Sequence, residues 1–409
     1  MRILVTHPIY PGQFGNLSSA LTNAGSEVTF LTQVMPSGST DYALVPYRVD
    51  REPRSEPRSY LFASERAVLI GQGAARKALN MYEEGYRPDL IIGHSGFGEL
   101  TFLPDVFPGT PILAYAEYFY RSAGADVGFD PELTVAETEF TRIRLKNALT
   151  LASLDAATAA YAPTLWQRNC FPSAYHKKIH VVHDGVNTAT LRENPSARLR
   201  IATGKYLTAD TPVITFAARA LEHYRGFHKF WPALAMVLQR NPATQAVVVG
   251  GRTTAYGPEE AGTSLVDRLI GEYPVDLSRV HFFEALDREA YTTMLQISSC
   301  HVYLTYPFIP SWSLIEALSC GAPVVAADVP PVREIVGRGT CALVDFFDIE
   351  RLAKKMEAFI RDPSRTHAMR VRARTHAVKN FDFQQKSWPR LRALIQNIAG
   401  EGRVRPAGN

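Results

Sequence analysis

Two doubly wound α/β domains in tandem are what this sequence predicts. Three observations carry that expectation. Short apolar strand patterns alternate with helical patterns, and the alternation runs through the chain twice. The chain has 409 residues, too many for one ordinary core. Alternation of this kind implies parallel sheets covered by helices on both faces, with ligands at the carboxyl ends of the strands.

In the first half, residues 3–6, 28–31, 90–93, 112–116 and 180–183 are short apolar runs suited to strands buried on both faces. Helical stretches lie between them, at 17–24, ended by Gly25, and 64–84, ended by Gly85. In the second half the strands fall at 213–217, 246–249, 280–283, 302–305, 323–326 and 342–344. Helices fall at 227–240, 264–273, 288–298, 314–319 and 349–361. The turn Asp184-Gly185-Val186-Asn187 and the polar residues after it mark the junction. The domains are therefore read as 1–187 and 188–383, followed by a terminal helical segment, 384–409. Residues 48–58, with alternating charge and two prolines, read as a solvated loop. Residues 122–132, rich in small residues, read as a mobile segment of the kind that covers substrates.

Hydrophobic residues make up 46% and charged residues 21% of the chain, a soluble globular profile. A net charge of +4 is too mild to argue for nucleic acid. It suits a polyanionic small substrate or contact with an anionic membrane surface. The four cysteines show no CxxC or His pairing, so buried thiols in a reducing compartment are expected. The N-terminus opens at once into a strand pattern, and no apolar run approaches a membrane span. A cytoplasmic protein is expected, one able to touch a membrane from that side. No HExxH, Walker loop, zinc spacing or EF-hand occurs, so no dedicated metal site is expected.

The most informative stretch is 311–325, SWSLIEALSCGAPVV. Ser311 or Ser313 suits a helix N-cap, Gly321 suits a C-cap, and Pro323 stops the helix. The amides near Ser313 and Leu314 would then form an anion seat at the helix tip. Glu316, one turn in, can accept two hydrogen bonds from a vicinal diol such as a ribose; its plainer role is to stabilise its own helix through the dipole. Arg219 and Arg225 flank the residues after the strand 213–217, and Gly226 opens the next helix. Two guanidinium groups there suit a diphosphate, and a surface ion pair with Glu222 is the alternative.

In the first half, the loop 8–16 carries Gly12 and Gly15 and joins the first strand to the first helix. It is not GxGxxG, and an ordinary strand-to-helix turn would also explain it. His94 ends a strand in GHSGFG, which falls short of a nucleophile elbow at Phe97 but leaves Ser95 as a candidate nucleophile. Glu117 stands among Tyr115, Tyr118, Phe119 and Tyr120. Desolvation there would raise its pKa and suit a base or a group binding the acceptor hydroxyl. A buried acid paired with Arg121, Arg142 or Arg144 is the alternative.

On these residues the chain resembles the GT-B glycosyltransferases of family four over nearly its whole length. Gly12 and Gly15 match the family's glycine-rich loop, and Asp89-Leu90-Ile91-Ile92-Gly93-His94 matches its Asp-x-x-x-x-His. His183-Asp184-Gly185-Val186-Asn187 is similar to its junction Pro-Asn-Gly-Val-Asp. Arg219 with Arg225-Gly226 matches its Gly-Arg…Lys-Gly phosphate clamp, with arginine for lysine and one extra residue between. Glu316 to Val325 follows Glu-Ala-x-Ala-x-Gly-x-Pro-Val-Val, the end of its acid-x7-acid motif. Two departures stand out. Phe308 occupies the place of the first acid, which in the family contacts the donor sugar, and Glu117 stands where the family often has a histidine.

The resemblance implies two Rossmann-like domains facing a cleft, with the last helix crossing back to the first domain. It implies transfer of a hexose from a nucleotide diphosphate sugar, of UDP or GDP type, to an acceptor hydroxyl, with retention and without a metal. Gly15, Arg219, Arg225, Ser313, Leu314 and Glu316 would bind the donor. Gly12 and Tyr118 would lie on the acceptor side, and Glu117 and His94 would be catalytic. The acceptor hydroxyl would belong to a glycan, a lipid-linked acceptor or a small molecule. A sugar-nucleotide epimerase of the same fold, a serine hydrolase using Ser95 and a nucleotide-sugar sensor are the other readings.

Overall fold

The computed structural model describes residues 1–56, 59–254 and 263–404, with side chains to residue 400. The chain forms two compact units, one of Met1–Asp184 with Phe383–Asn409, the other of Gly185–Asp382.

The first unit runs β1 (Arg2–Thr6), α1 (Gly15–Asn23), β2 (Glu27–Thr32), β3 (Ala43–Pro46), α2 (Phe62–Glu83), β4 (Leu90–His94), α3 (Glu99–Val106) and β5 (Ile112–Tyr115). It continues through α4 (Glu139–Ala156), β6 (Ala159–Ala162), α5 (Leu165–Cys170) and β7 (Ile179–Val181). The strands form one parallel sheet in the order β3-β2-β1-β4-β5-β6-β7. Alternate residues feed opposite faces. Leu4, Ile91 and Ala114 join Ile70, Ala74, Leu100 and Leu103 of α2 and α3 in one core. Ile3, Val5, Ile92 and Leu113 join Leu17 and Leu21 of α1 in the other. That second core also holds Leu391, Leu394, Ile395 and Ile398 from the chain's last helix.

The second unit begins with an antiparallel pair, β8 (Arg198–Arg200) and β9 (Tyr206–Thr208). Then follow β10 (Val213–Ala220), α6 (Phe227–Arg240), β11 (Gln245–Gly251), α7 (Leu265–Glu272), β12 (Val280–Phe283), α8 (Arg288–Ile297) and β13 (Cys300–Tyr303). After these come α9 (Trp312–Ser319), β14 (Val324–Ala327), α10 (Pro330–Ile335), β15 (Ala342–Val344), α11 (Ile349–Arg361) and α12 (Ser364–Phe381). Its main sheet is parallel, in the order β12-β11-β10-β13-β14-β15. A π-helical turn, Phe383–Ser387, leads into α13 (Trp388–Val404).

The structure adds elements that the sequence did not signal. β6 reads AAYA, a composition that favours helix, and only its neighbours β5 and β7 make it a strand. β3 is a sheet edge ending in Pro46, where a missing ladder N–H costs nothing. α4 and α12 are too polar to show a clear apolar stripe. The segment 122–132 is anchored, since Asp126 is buried and accepts the Tyr118 hydroxyl at 2.8 Å. The loop over 48–58 is tied at Glu65, which pairs with Arg51 at 2.6 Å; residues 57 and 58 lie outside the described residues.

Gly98 caps α3 at φ 109°, where an added Cβ would overlap the Ala67 carbonyl. Glu99, immediately after it, is fully buried. One oxygen accepts the Tyr47 hydroxyl at 3.0 Å and the other has no hydrogen-bond partner among the described residues. Burial pushes this carboxyl up from 4.5 to about 7. A raised acid binds its proton more tightly in the folded state. Its stabilising contribution is thus complete below pH 4.5 and is lost as pH rises through about 7. The shift corresponds to roughly 3 kcal/mol. Chemical denaturation of Glu99→Gln across this range is expected to show a shallower decline of stability with pH than the wild type. Equal slopes would contradict the assignment.

Candidate functional site

In the second unit, successive strands run outward from β10 in one direction and from β13 in the other. Ligands of doubly wound sheets bind outside the strand ends at such a reversal. A cavity of about 180 Å³ lies there, and its polar lining is Arg219, Arg225, Tyr303, Ser311 and Ser313. Arg219 projects from the end of β10 and is exposed. Arg225 ends a short 3-10 turn, after which Gly226 at φ 69° starts α6. Its guanidinium is held by Thr305 Oγ1 at 3.1 Å and the Ile309 carbonyl at 3.2 Å. Two cations thus reach one cavity, one of them fixed in place.

Ser311 is the N-cap of α9, accepting the Ser313 amide at 3.3 Å. The Ser313 hydroxyl donates to Ser311 Oγ at 3.0 Å, and the Ser311 amide donates to the Tyr303 oxygen at 2.8 Å. The Leu314 amide already donates to the Ser311 carbonyl at 3.2 Å, and its side chain is buried. The Ser311 cap expected from the sequence is present, and the two amides expected to seat an anion, of Ser313 and Leu314, both donate to it. The helix tip offers serine hydroxyls, and a phosphate would reach those two amides only by displacing their caps. Glu316 stands one turn deeper, and its Oε1 is 2.7 Å from Arg288 Nη1. Phe308 is buried, with its ring centroid 5.8 Å from the Arg225 guanidinium. An apolar ring therefore sits where an acid was expected by resemblance.

In the first unit the strand order reverses between β1 and β4, and three strand-end loops meet there. Gly12 lies in the loop after β1 at φ 54°, packed so closely on the His7 ring that a Cβ would overlap it. Gly15 starts α1, and a Cβ there would lie 3.2 Å from Pro11. His94 ends β4. Its Nδ1 accepts the Gly96 amide at 2.9 Å, which leaves an N–H on Nε2. That N–H points at Glu117 Oε2, 3.2 Å away. Gln13 Nε2 donates to Glu117 Oε1 at 2.8 Å, and Gln167 Nε2 donates to the Glu117 carbonyl at 2.6 Å.

The Glu117 side chain is 20% exposed. Burial raises its pKa, but the hydrogen bond and charge of His94 and the Gln13 hydrogen bond together bring it below 4.5. The raised acid expected from its aromatic neighbours is therefore corrected, and so is the arginine pairing. Glu117 is an ionised carboxylate held by an amide and an imidazole. His7 lies behind it, its ring centroid 6.0 Å from that of His94. Burial and then the nearby His94 push His7 down to about 4, so it is neutral at pH 7. Two further expectations change. Ser95 is buried and its hydroxyl donates to the Tyr115 carbonyl at 3.0 Å, which removes it as a nucleophile. Tyr118 is buried, with its hydroxyl on Asp126 and its ring stacked on Trp166 at 5.7 Å, a structural placement.

Sequence reasoning missed His7, Gln13, Tyr303, Thr305 and Arg288. His7 directly follows the apolar strand β1, and that position was its available signal; Gln13 lies seven residues past the strand and had none. Arg288 follows Asp287, the cap of α8, at another strand-end loop.

Two family models match the chain: Glycosyl transferase family 4 group over residues 24–191 and Glycosyl transferases group 1 over residues 201–376. Among curated proteins, D-inositol 3-phosphate glycosyltransferase 1 of Catenulispora acidiphila is 26% identical over 264 residues, 63% of this chain and 60% of that protein. The GDP-mannose-dependent alpha-(1-6)-phosphatidylinositol monomannoside mannosyltransferase of Mycolicibacterium smegmatis is 26% identical over 237 residues, 56% of this chain and 60% of that protein. The chain spans 44% to 60% of the length of the curated relatives it matches. Among solved structures, sucrose-phosphate synthase from Thermosynechococcus elongatus superposes with a TM-score of 0.71 at 18% identity, covering 98% of this chain and all (100%) of that one. HepE of Anabaena with UDP-glucose gives 0.70 at 16%, covering 97% and 100%. With a family match on each half and the fold of these structures across both, the chain belongs to the GT-B glycosyltransferases of family four, group 1.

Proposed function

We propose that this protein moves a hexose from a nucleoside diphosphate sugar to an acceptor hydroxyl. The observation that carries this reading is the cavity at the reversal of the second sheet, where Arg219, Arg225, Ser311 and Ser313 converge. Two guanidinium groups with hydroxyl donors suit a diphosphate, and they can stabilise it as it departs. On this reading their charge does the work a metal does elsewhere. Glu316 takes the ribose diol. Glu117, ionised and fixed by Gln13 and His94, accepts a hydrogen bond from a substrate hydroxyl. The likeness to retaining enzymes supports attack from the leaving-group face. UDP or GDP is the nucleotide, since one neighbouring structure holds UDP-glucose and one relative is named as GDP-mannose dependent. Relatives named for inositol phosphate and phosphatidylinositol support a polyol acceptor, free or lipid-linked. No described helix is long and apolar enough to cross a membrane, so a lipid-linked acceptor would be met at a membrane surface.

Incubation with UDP- and GDP-hexoses and an inositol phosphate acceptor, followed by mass spectrometry, tests this. The expected products are free nucleoside diphosphate and a glycoside whose anomeric coupling matches that of the donor. An isomerised sugar nucleotide would favour the epimerase instead, and binding without turnover a sensor. Ser95→Ala is expected to keep turnover and to lose only about 1 kcal/mol of stability with its hydrogen bond. Loss of turnover in a folded Ser95→Ala protein would contradict that.

A further inference from the structure

The Arg288–Glu316 pair joins two helices, α8 and α9, whereas Arg361–Glu357, with a similar exposure of 60% and 12%, lies within one helix. Arg268–Glu272 and Lys354–Glu350 have both partners exposed, at 39% and 47% and at 70% and 73%. Such pairs contribute little. Here an arginine side chain 61% exposed folds down onto a carboxylate only 8% exposed. Asp287 caps α8 by accepting the Ala290 amide at 2.8 Å, which fixes the helix start from which Arg288 reaches across. Arg288 also lies 5.8 Å from the ring centroid of Tyr291, one turn along. Burial, then the Glu316 charge and a hydrogen bond toward that carboxylate, push the Tyr291 phenol up, although the contact falls short of good hydrogen-bond geometry. Glu316 is thus flanked by a cation on Oε1 and a phenol nearby. Holding a long, exposed side chain in one rotamer costs conformational entropy. A buried carboxylate needs a partner to stay charged, but any solvated cation would meet that need. What the fixed pair adds is direction.

We propose that Arg288 is a positioning residue for nucleoside recognition, clamping Glu316 through Oε1 so that Oε2 faces the ribose hydroxyls. This rests on the reading of Glu316 as the ribose acceptor. Arg288 then sets how strongly the protein prefers a ribonucleotide to its 2′-deoxy form, a property that mere stabilisation of the helix would not change.

Calorimetric titration with UDP and 2′-deoxy-UDP, or with GDP and 2′-deoxy-GDP if that base binds better, tests this. The wild type is expected to favour the ribonucleotide by about tenfold, the scale of one charged hydrogen bond. Glu316→Gln should bring the ratio close to one. Arg288→Ala should do nearly the same, Arg288→Lys should restore part of it, and the Arg288→Ala/Glu316→Gln double variant should match Glu316→Gln alone. A wild-type ratio in both folded Arg288 variants, with the ratio lost in Glu316→Gln, would overturn the role of Arg288. A wild-type ratio in Glu316→Gln would instead overturn the ribose reading of Glu316, and this inference with it.

Discussion

Arg225→Ala is expected to weaken nucleoside diphosphate binding by about ten- to a hundredfold, the cost of unpairing a charged hydrogen bond in a sheltered site. The guanidinium is held by Thr305 and Ile309, so its orientation exists before any ligand arrives. Little side-chain entropy remains to be lost on binding, which is what makes a fixed cation more effective than an exposed one. Arg225→Lys is expected to recover only part of the loss, because an ammonium cannot reproduce the fork that bonds both neighbours and a phosphate. Arg219 is exposed at a strand end, so Arg219→Ala should cost less. Calorimetry on the folded variants ranks the three. Equal, small effects would mean that the diphosphate lies elsewhere.

Glu117→Gln is expected to lower turnover by about a hundredfold while leaving nucleotide affinity near wild type. The substitution keeps the shape and keeps an oxygen for the His94 N–H, but removes the charge. The direction of the pKa shift adds a second readout. A carboxyl depressed below 4.5 keeps its charge at all higher pH and loses it only as pH falls through its lowered pKa. Turnover of the wild type should therefore be flat, as far as Glu117 is concerned, from neutral pH down to about 4.5, and an acid limb above that value should come from another group. Retained turnover in Glu117→Gln would reduce Glu117 to a structural acid.

The parts of the site legible in the sequence share one property: their signals are local. Arg225-Gly226 after an apolar strand, and Glu316 one turn inside a capped helix, declare themselves within a few residues. The first-unit cluster is different. Gln13 and Glu117 are 104 residues apart, and His94 and Glu117 are 23 apart. Only the order of strands in the sheet brings their loops together. Glu117 shows how a local reading misleads. Its chain neighbours are aromatic and suggest desolvation, whereas its neighbours in space are hydrogen-bond donors that stabilise the charge. Arg288 and Glu316 pair across separate helices for the same reason. In the fold, apolar strands such as β10 and β13 were plain, but β6 was not, because AAYA becomes a strand only between β5 and β7.

The central claim is that the second unit holds a diphosphate seat where its sheet order reverses. Calorimetric comparison of UDP with UMP, and of GDP with GMP, tests it most directly in the wild type and in an Arg219→Ala/Arg225→Ala variant. The account predicts that the better-binding base shows a diphosphate preference of at least about tenfold, and that the preference disappears in the double variant while the monophosphate still binds. Equal binding of mono- and diphosphate to the wild type, or a preference that survives the loss of both arginines, would contradict it.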